Sequence, residues 1–260
     1  MTTVTNDKLQ TAGLSATWAR WSGFSVLFDN PGASLLPIGD GLARMNSRTG
    51  TEPALGFYTA LEQTLATLDL PQMADEFAFC PLPSYSYHVT VWDGLNPGNI
   101  QTVAAPHRPA LQACIDGMPA ALHNLPDALS FLPASKLLST GYGPLDFRFL
   151  ELVNWSNTAV LASVEAADAA SAERLAAITA DRQALYVRMA ESLGTAVRDG
   201  YYPHVTLGYF ANREQGELSR PHLAEWNARF AQRMAGLSLT FPSMALYGFS
   251  DMISFCKVME

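Results

Sequence analysis

Apolar positions along the chain change period several times, and each change predicts an element. Residues 24–28 form a short strand-like run. Over 30–53 the periodicity is lost and Gly, Pro and Ser accumulate, which predicts an extended loop. A connection of that length is often functional, so Arg44 and Arg48 are candidates for substrate contact, with solvated loop charge as the simpler account. Leu55, Tyr58, Leu61, Leu65 and Leu68 recur at helical spacing and give a helix ending before Pro71. Residues 77–80 and 85–92 read as strands separated by a Pro81 to Pro83 turn, with Gly94 closing the second. A helix over 110–122 and a Gly-punctuated loop over 133–144 complete the first half.

The second half restarts with a hairpin, 146–153 and 158–165, after which Asp168 is placed to cap a long helix to Leu193. Its apolar face is Leu175, Ile178, Leu185, Met189 and Leu193, with Arg182 among the charged residues mostly outside that face. Gly194 or Gly200 terminates it. A strand over 202–210, a helix reaching Met234 and three short strands at 237–241, 244–249 and 252–258 follow. In both halves a helix precedes a strand carrying His-Val-Thr, which predicts an α+β fold of two lobes packed side by side. The expectation is one two-lobed domain over the whole chain, lobe one roughly 15–135 and lobe two roughly 145–260.

Composition narrows the chemistry. With 48% hydrophobic and 15% charged residues the chain has the makings of a large core, and a net charge of -8 argues against a broad basic surface for long nucleic acid. Any phosphate site must be local. Cys80, Cys114 and Cys256 form no C-x-x-C pair, and the first fourteen residues lack a basic and apolar leader, so a cytoplasmic protein without a membrane span is expected.

Two segments carry the candidate chemistry: Tyr87-His88-Val89-Thr90-Val91 and Pro203-His204-Val205-Thr206-Leu207. On a strand, residues i and i+2 share a face, so each segment delivers an imidazole and a hydroxyl together. Two histidines can supply the base that deprotonates water and the acid that protonates a leaving oxygen, and hydroxyls can stabilise charge on the non-bridging oxygens. Either segment alone is more simply a strand histidine with satisfied ring nitrogens; the matched pair favours function. By alternation Trp92 shares the face of His88 and Tyr202 that of His204, and both are candidates to stack on a base, ahead of Tyr85, Tyr87, Tyr201 and Tyr209. Lys136, Arg148 and Arg213 are candidate phosphate cations, with surface solvation the simpler account of each. His107, His123 and His222 lack the i+2 hydroxyl and read as structural or surface residues.

The His-Val-Thr-Val and His-Val-Thr-Leu segments resemble the paired H-x-[ST]-x signatures of the two-histidine (2H) phosphoesterase superfamily, which includes RNA ligase-like cyclic phosphodiesterases. The serine and aromatic residues before His88, Ser84-Tyr85-Ser86-Tyr87, and Gly94 after it resemble a poorly characterised bacterial branch. The resemblance covers the motif strands and their flanks. It implies antiparallel sheets lining a central cleft with helices outside, catalysis by His88 and His204 without metal or cofactor, and Thr90 and Thr206 as phosphate donors. The implied substrate is a small nucleotide or RNA-end phosphodiester, 2',3'-cyclic or 2',5'-linked. Two rivals stand beside it: a non-catalytic module binding a nucleotide or RNA end in the same cleft, and a metal-dependent phosphatase with His88, Asp93 and His204 as ligands.

Overall fold

In the computed structural model, residues 2–48 and 50–259 are described; Met1, Thr49 and Glu260, at the ends of the chain and within the 30–53 stretch, lie outside the described residues. The elements run β1 (Gly23–Phe28), β2 (Leu35–Gly39), β3 (Leu42–Met45), α1 (Gly56–Ala66), α2 (Leu70–Phe77), β4 (Phe79–Pro81) and β5 (Thr90–Asp93). They continue α3 (Arg108–Asp116), α4 (Lys136–Ser139), β6 (Leu145–Trp155), β7 (Ala159–Ala166), α5 (Ala169–Leu193) and β8 (His204–Phe210). Then come α6 (Arg213–Leu218), α7 (Leu223–Met234), β9 (Ser238–Phe241), β10 (Met244–Phe249) and β11 (Phe255–Val258).

This is an α+β fold of two antiparallel sheets with helices outside. One sheet has the order β2-β3-β11-β10-β1-β5 and the other β4-β8-β7-β6-β9. β1 is buried at every position, which suits a strand covered on both faces. The β6–β7 hairpin turns through Ser156 and Asn157, both at positive φ, the backbone that a tight hairpin connection demands. Asp168 caps α5 by accepting from the Ser171 amide, and Gly194 ends it in the left-handed conformation.

Several expectations are corrected. The two sheets do not divide the chain at residues 135–145: β10 and β11, from the C-terminus, complete the sheet of β1 and β5, whereas β4 pairs with β8. The stretch 30–53 is not all loop, because β2 and β3 form a hairpin through Asp40 and Gly41, both at positive φ. α1 ends at Ala66, before Pro71 as expected, but a further helix, α2, begins around Pro71 where none was expected. Pro71 sits in the first turn of α2, where a missing N–H costs nothing, behind an Asp69 cap that accepts from the Gln72 amide. The 85–92 strand is shorter than expected, since Ser84–Ser86 is a 3-10 turn and β5 begins at Thr90. Arg182 lies within the buried face of α5, between Ile178 and Leu185.

Candidate active site

An antiparallel backbone bridge, Val89 to Val205, joins the two motif segments across the sheets, with both valines fully buried. Pairing of the central residues of the two motifs sets everything around it. In that register His88 lies opposite Thr206, and Thr90 opposite His204. All four side chains line a single cleft of about 740 Å³, bounded by β1, β5, β10 and β11 on one side and by β6, β7 and β8 on the other. The pairing of β1 with β5 is what aims the first motif. Val26 pairs with Trp92 but Leu27 pairs with Thr90, so Val91 is an extra residue in β5, a bulge. Gly94 follows at a close approach, where a Cβ would stand 2.2 Å from the Phe24 carbonyl oxygen.

Each histidine is held the same way. His88 Nδ1 lies 2.8 Å from the Ser86 carbonyl and His204 Nδ1 lies 2.7 Å from the Tyr202 carbonyl, two residues upstream in both cases. A carbonyl only accepts, so Nδ1 carries the proton and Nε2 of the neutral ring carries the lone pair. No described residue hydrogen-bonds either Nε2, or the hydroxyl of Thr90 or Thr206. The site therefore offers two ring nitrogens with free lone pairs and two hydroxyl donors, with nothing among the described residues to consume them.

Burial favours the neutral rings. The His88 pKa falls from 6.5 to about 4, chiefly through desolvation, with positive charge on His204 and Lys8 adding to the effect and the Ser86 carbonyl and Asp93 opposing it. His204 is lowered too, again first by desolvation, with Lys8 lowering it further and Tyr202 carbonyl and Asp93 opposing. The surroundings differ. The His88 ring packs 4.2 Å from the Phe255 ring, centroid to centroid, whereas His204 neighbours Tyr202 and Trp155.

Of the charged groups around the cleft, Asp93 pairs with Arg198 at 2.7 Å and Asp199 accepts from Gln183. Arg182 donates to the Val91 carbonyl at 2.9 Å and the Gly200 carbonyl at 2.6 Å, with its guanidinium over the rings of Tyr186 and Tyr201. Those two carbonyls belong to the bulge of β5 and to the segment entering β8. Tyr201 adds a hydroxyl bond to the Thr90 carbonyl at 2.9 Å. Arg182 and Tyr201 thus fasten the two motif segments to each other and to α5.

His88, Thr90, His204, Thr206 and Tyr202 all line the cleft. Trp92 does not. The bulge at Val91 reverses the alternation, so Asp93 faces the cleft and Trp92, 1% exposed, points into the core against Phe24 and Tyr186. Tyr201 and Tyr209 line the cleft, while Tyr87 is buried against Tyr58 and Tyr85 lies outside it. None of Arg44, Arg48, Lys136, Arg148 or Arg213 reaches the cleft; Arg148 pairs with Glu165 on the surface. His107, His123 and His222 also lie elsewhere, His222 stacked on Trp226. The pattern-based reading missed Lys8, Trp155 and Arg182. Among these only Trp155 carried a signal, a large apolar residue at a hairpin end that the structure leaves 48% exposed.

No family model matches the chain and no curated protein matches it. Among solved structures, a conserved protein of unknown function from Agrobacterium tumefaciens, ATU0111, is similar in fold, with a TM-score of 0.50 at 19% identity over 92% of this chain and 84% of that one. No helix among the described residues is long and apolar enough to cross a membrane.

Proposed function

We propose that the protein is a two-histidine phosphoesterase that hydrolyses a small nucleotide or RNA-end phosphodiester, 2',3'-cyclic or 2',5'-linked, by general acid-base catalysis. The observation that carries this reading is the paired Nδ1-to-carbonyl anchor, which leaves both Nε2 atoms in one cleft beside two uncommitted threonine hydroxyls. In this scheme His88 Nε2 takes a proton from water as the water oxygen bonds to phosphorus. His204, protonated, gives its Nε2 proton to the departing ribose oxygen as the P–O bond breaks. Thr90 and Thr206 donate to the non-bridging oxygens, whose charge grows in the transition state. The roles are assigned from surroundings: burial keeps both rings neutral, His88 lies under Phe255, and His204 lies toward the rim of Tyr202 and exposed Trp155, where it takes a proton once an anion occupies the cleft.

The metal-ligand rival has less support. Among the described residues no three His, Cys, Asp or Glu side chains are grouped to hold a metal ion, and Asp93 is engaged by Arg198. The test is turnover of 2',3'-cyclic nucleotides and short 2',5'-linked oligonucleotides with EDTA present. Wild type is expected to hydrolyse at least one of them, and His88→Ala and His204→Ala each to lose roughly a thousandfold in kcat. Tight binding without turnover by the wild type would replace the enzyme with a binding module.

A further inference from the structure

The cleft holds a cation that comes from neither motif. Lys8 lies in the N-terminal segment, and that segment is fastened across the end of β8. The amides of Thr5 and Asn6 donate to the Ala211 carbonyl, and Asn6 Nδ2 donates to the Phe210 carbonyl at 2.9 Å. On the far side, Leu9 is buried and bridges to Trp18, and the Ala19 amide donates to the Lys8 carbonyl at 3.0 Å. The backbone of Lys8 is thus fixed from both directions.

Its ammonium is held over the Tyr209 ring at 4.6 Å and the Trp21 ring at 5.8 Å, and donates to the Tyr209 hydroxyl at 3.3 Å. Among the described residues no carboxylate forms an ion pair with it. The other cations of the cleft are committed: Arg198 to Asp93, and Arg182 to two carbonyls and the Tyr186 hydroxyl. An ammonium has three donors, and only one here has a protein partner. Its charge also acts on both imidazoles, resisting the protonation of each. Holding a positive charge beside two groups that must cycle protons is unfavourable until an anion enters between them.

We propose that Lys8 is the anion-binding residue of the cleft, donating to a non-bridging oxygen of the substrate phosphate between the two histidines. The ligand class is a phosphate mono- or diester anion. Seating it offsets the charge of Lys8, so the same event that binds substrate lets His204 take the proton it must later give away. This deepens the phosphoesterase reading and rests on it for the catalytic consequence, though the anion site itself does not.

The experiment uses the full chain, inorganic phosphate as the probe and histidine NMR as one readout. Phosphate is expected to bind wild type and raise the titration midpoints of His88 and His204. Lys8→Met is expected to weaken that binding roughly ten- to hundredfold and to blunt the rise, with Lys8→Arg retaining most of both. Thermal melts of the three proteins check that the strap remains docked. On a turned-over diester, Lys8→Met should raise KM and narrow the acid limb of the pH profile. Equal phosphate binding by wild type and Lys8→Met, or none by wild type, overturns the proposal. Phosphate binding that depends on Lys8 in a protein that hydrolyses no phosphodiester would keep the anion site and remove the phosphoesterase reading.

Discussion

His88 and His204 are anchored alike and housed differently. Both rings donate from Nδ1 to the carbonyl two residues upstream. His88 follows a 3-10 turn and precedes an edge strand with a bulge, under the ring of Phe255. His204 opens β8, which lies inside its sheet between β4 and β7, and faces the rim formed by Tyr202 and exposed Trp155. A shared local device fixes tautomer and orientation, while the packing beyond it gives the two rings different neighbours, Phe255 for one and Tyr202 with Trp155 for the other. Equivalent motifs can therefore take unlike roles without any difference in their own residues.

The comparison can be broken most sharply with the leaving group. A nitrophenyl phosphodiester needs no acid, so on that substrate His204→Ala should recover most of its roughly thousandfold loss, and His88→Ala should recover nothing. Steady-state kcat for the two variants on nitrophenyl and ribose esters reads this directly, and the reverse pattern would exchange the roles.

A smaller effect lies in stability against pH. The folded pKa of His88 is depressed to about 4 from 6.5, so between those values the unfolded chain binds a proton that the native state refuses. Its contribution is fully present above pH 6.5 and is lost as pH falls toward 4, by at most about 3 kcal/mol and less to the extent that water reaches the ring. Urea melts of wild type and His88→Gln at pH 7 and 4.5 should show the variant losing less. Equal losses would mean that the ring is better solvated than its packing suggests.

The weakest expected effect is at the rim. Trp155→Ala should raise KM for a nucleotide diester by about tenfold, equivalent to one lost stacking contact, and leave KM for a diester without a base unchanged. A change on both substrates would assign Trp155 to shaping His204 rather than to holding a base.

Much of the scaffold could be read from the chain because it is local. The β6–β7 hairpin, the Asp168 cap and the Gly194 stop each depend on residues a few positions apart, and the fully buried β1 announces itself as an apolar run broken only by Ser25. The four motif residues were legible for the same reason. What could not be read is set by distance or by parity. The joining of β10 to β1 and of β11 to β3 depends on partners over two hundred residues away, and nothing in either segment names the other. Trp92 was misplaced by one inserted residue, Val91, which strand alternation cannot foresee. α2 went unread because a proline after a helix reads as a break until Asp69 is seen to cap a new first turn there. Lys8 and Arg182 reach the cleft from a strap and from a helix face, where a single charged residue has no pattern around it.

The return of the C-terminal strands to the first sheet also sets an order of assembly. During synthesis, Gly23–Phe28 must wait for Met244–Phe249 before its inner edge is paired, and His88 has no aromatic cover until Phe255 has been made. A nascent chain that already contains both histidines still lacks one wall of the cleft. Such late, long-range closure makes for slow folding and for a long interval in which a strand edge stands open. The cleft is thereby complete only once Phe255 has been made and has closed over His88.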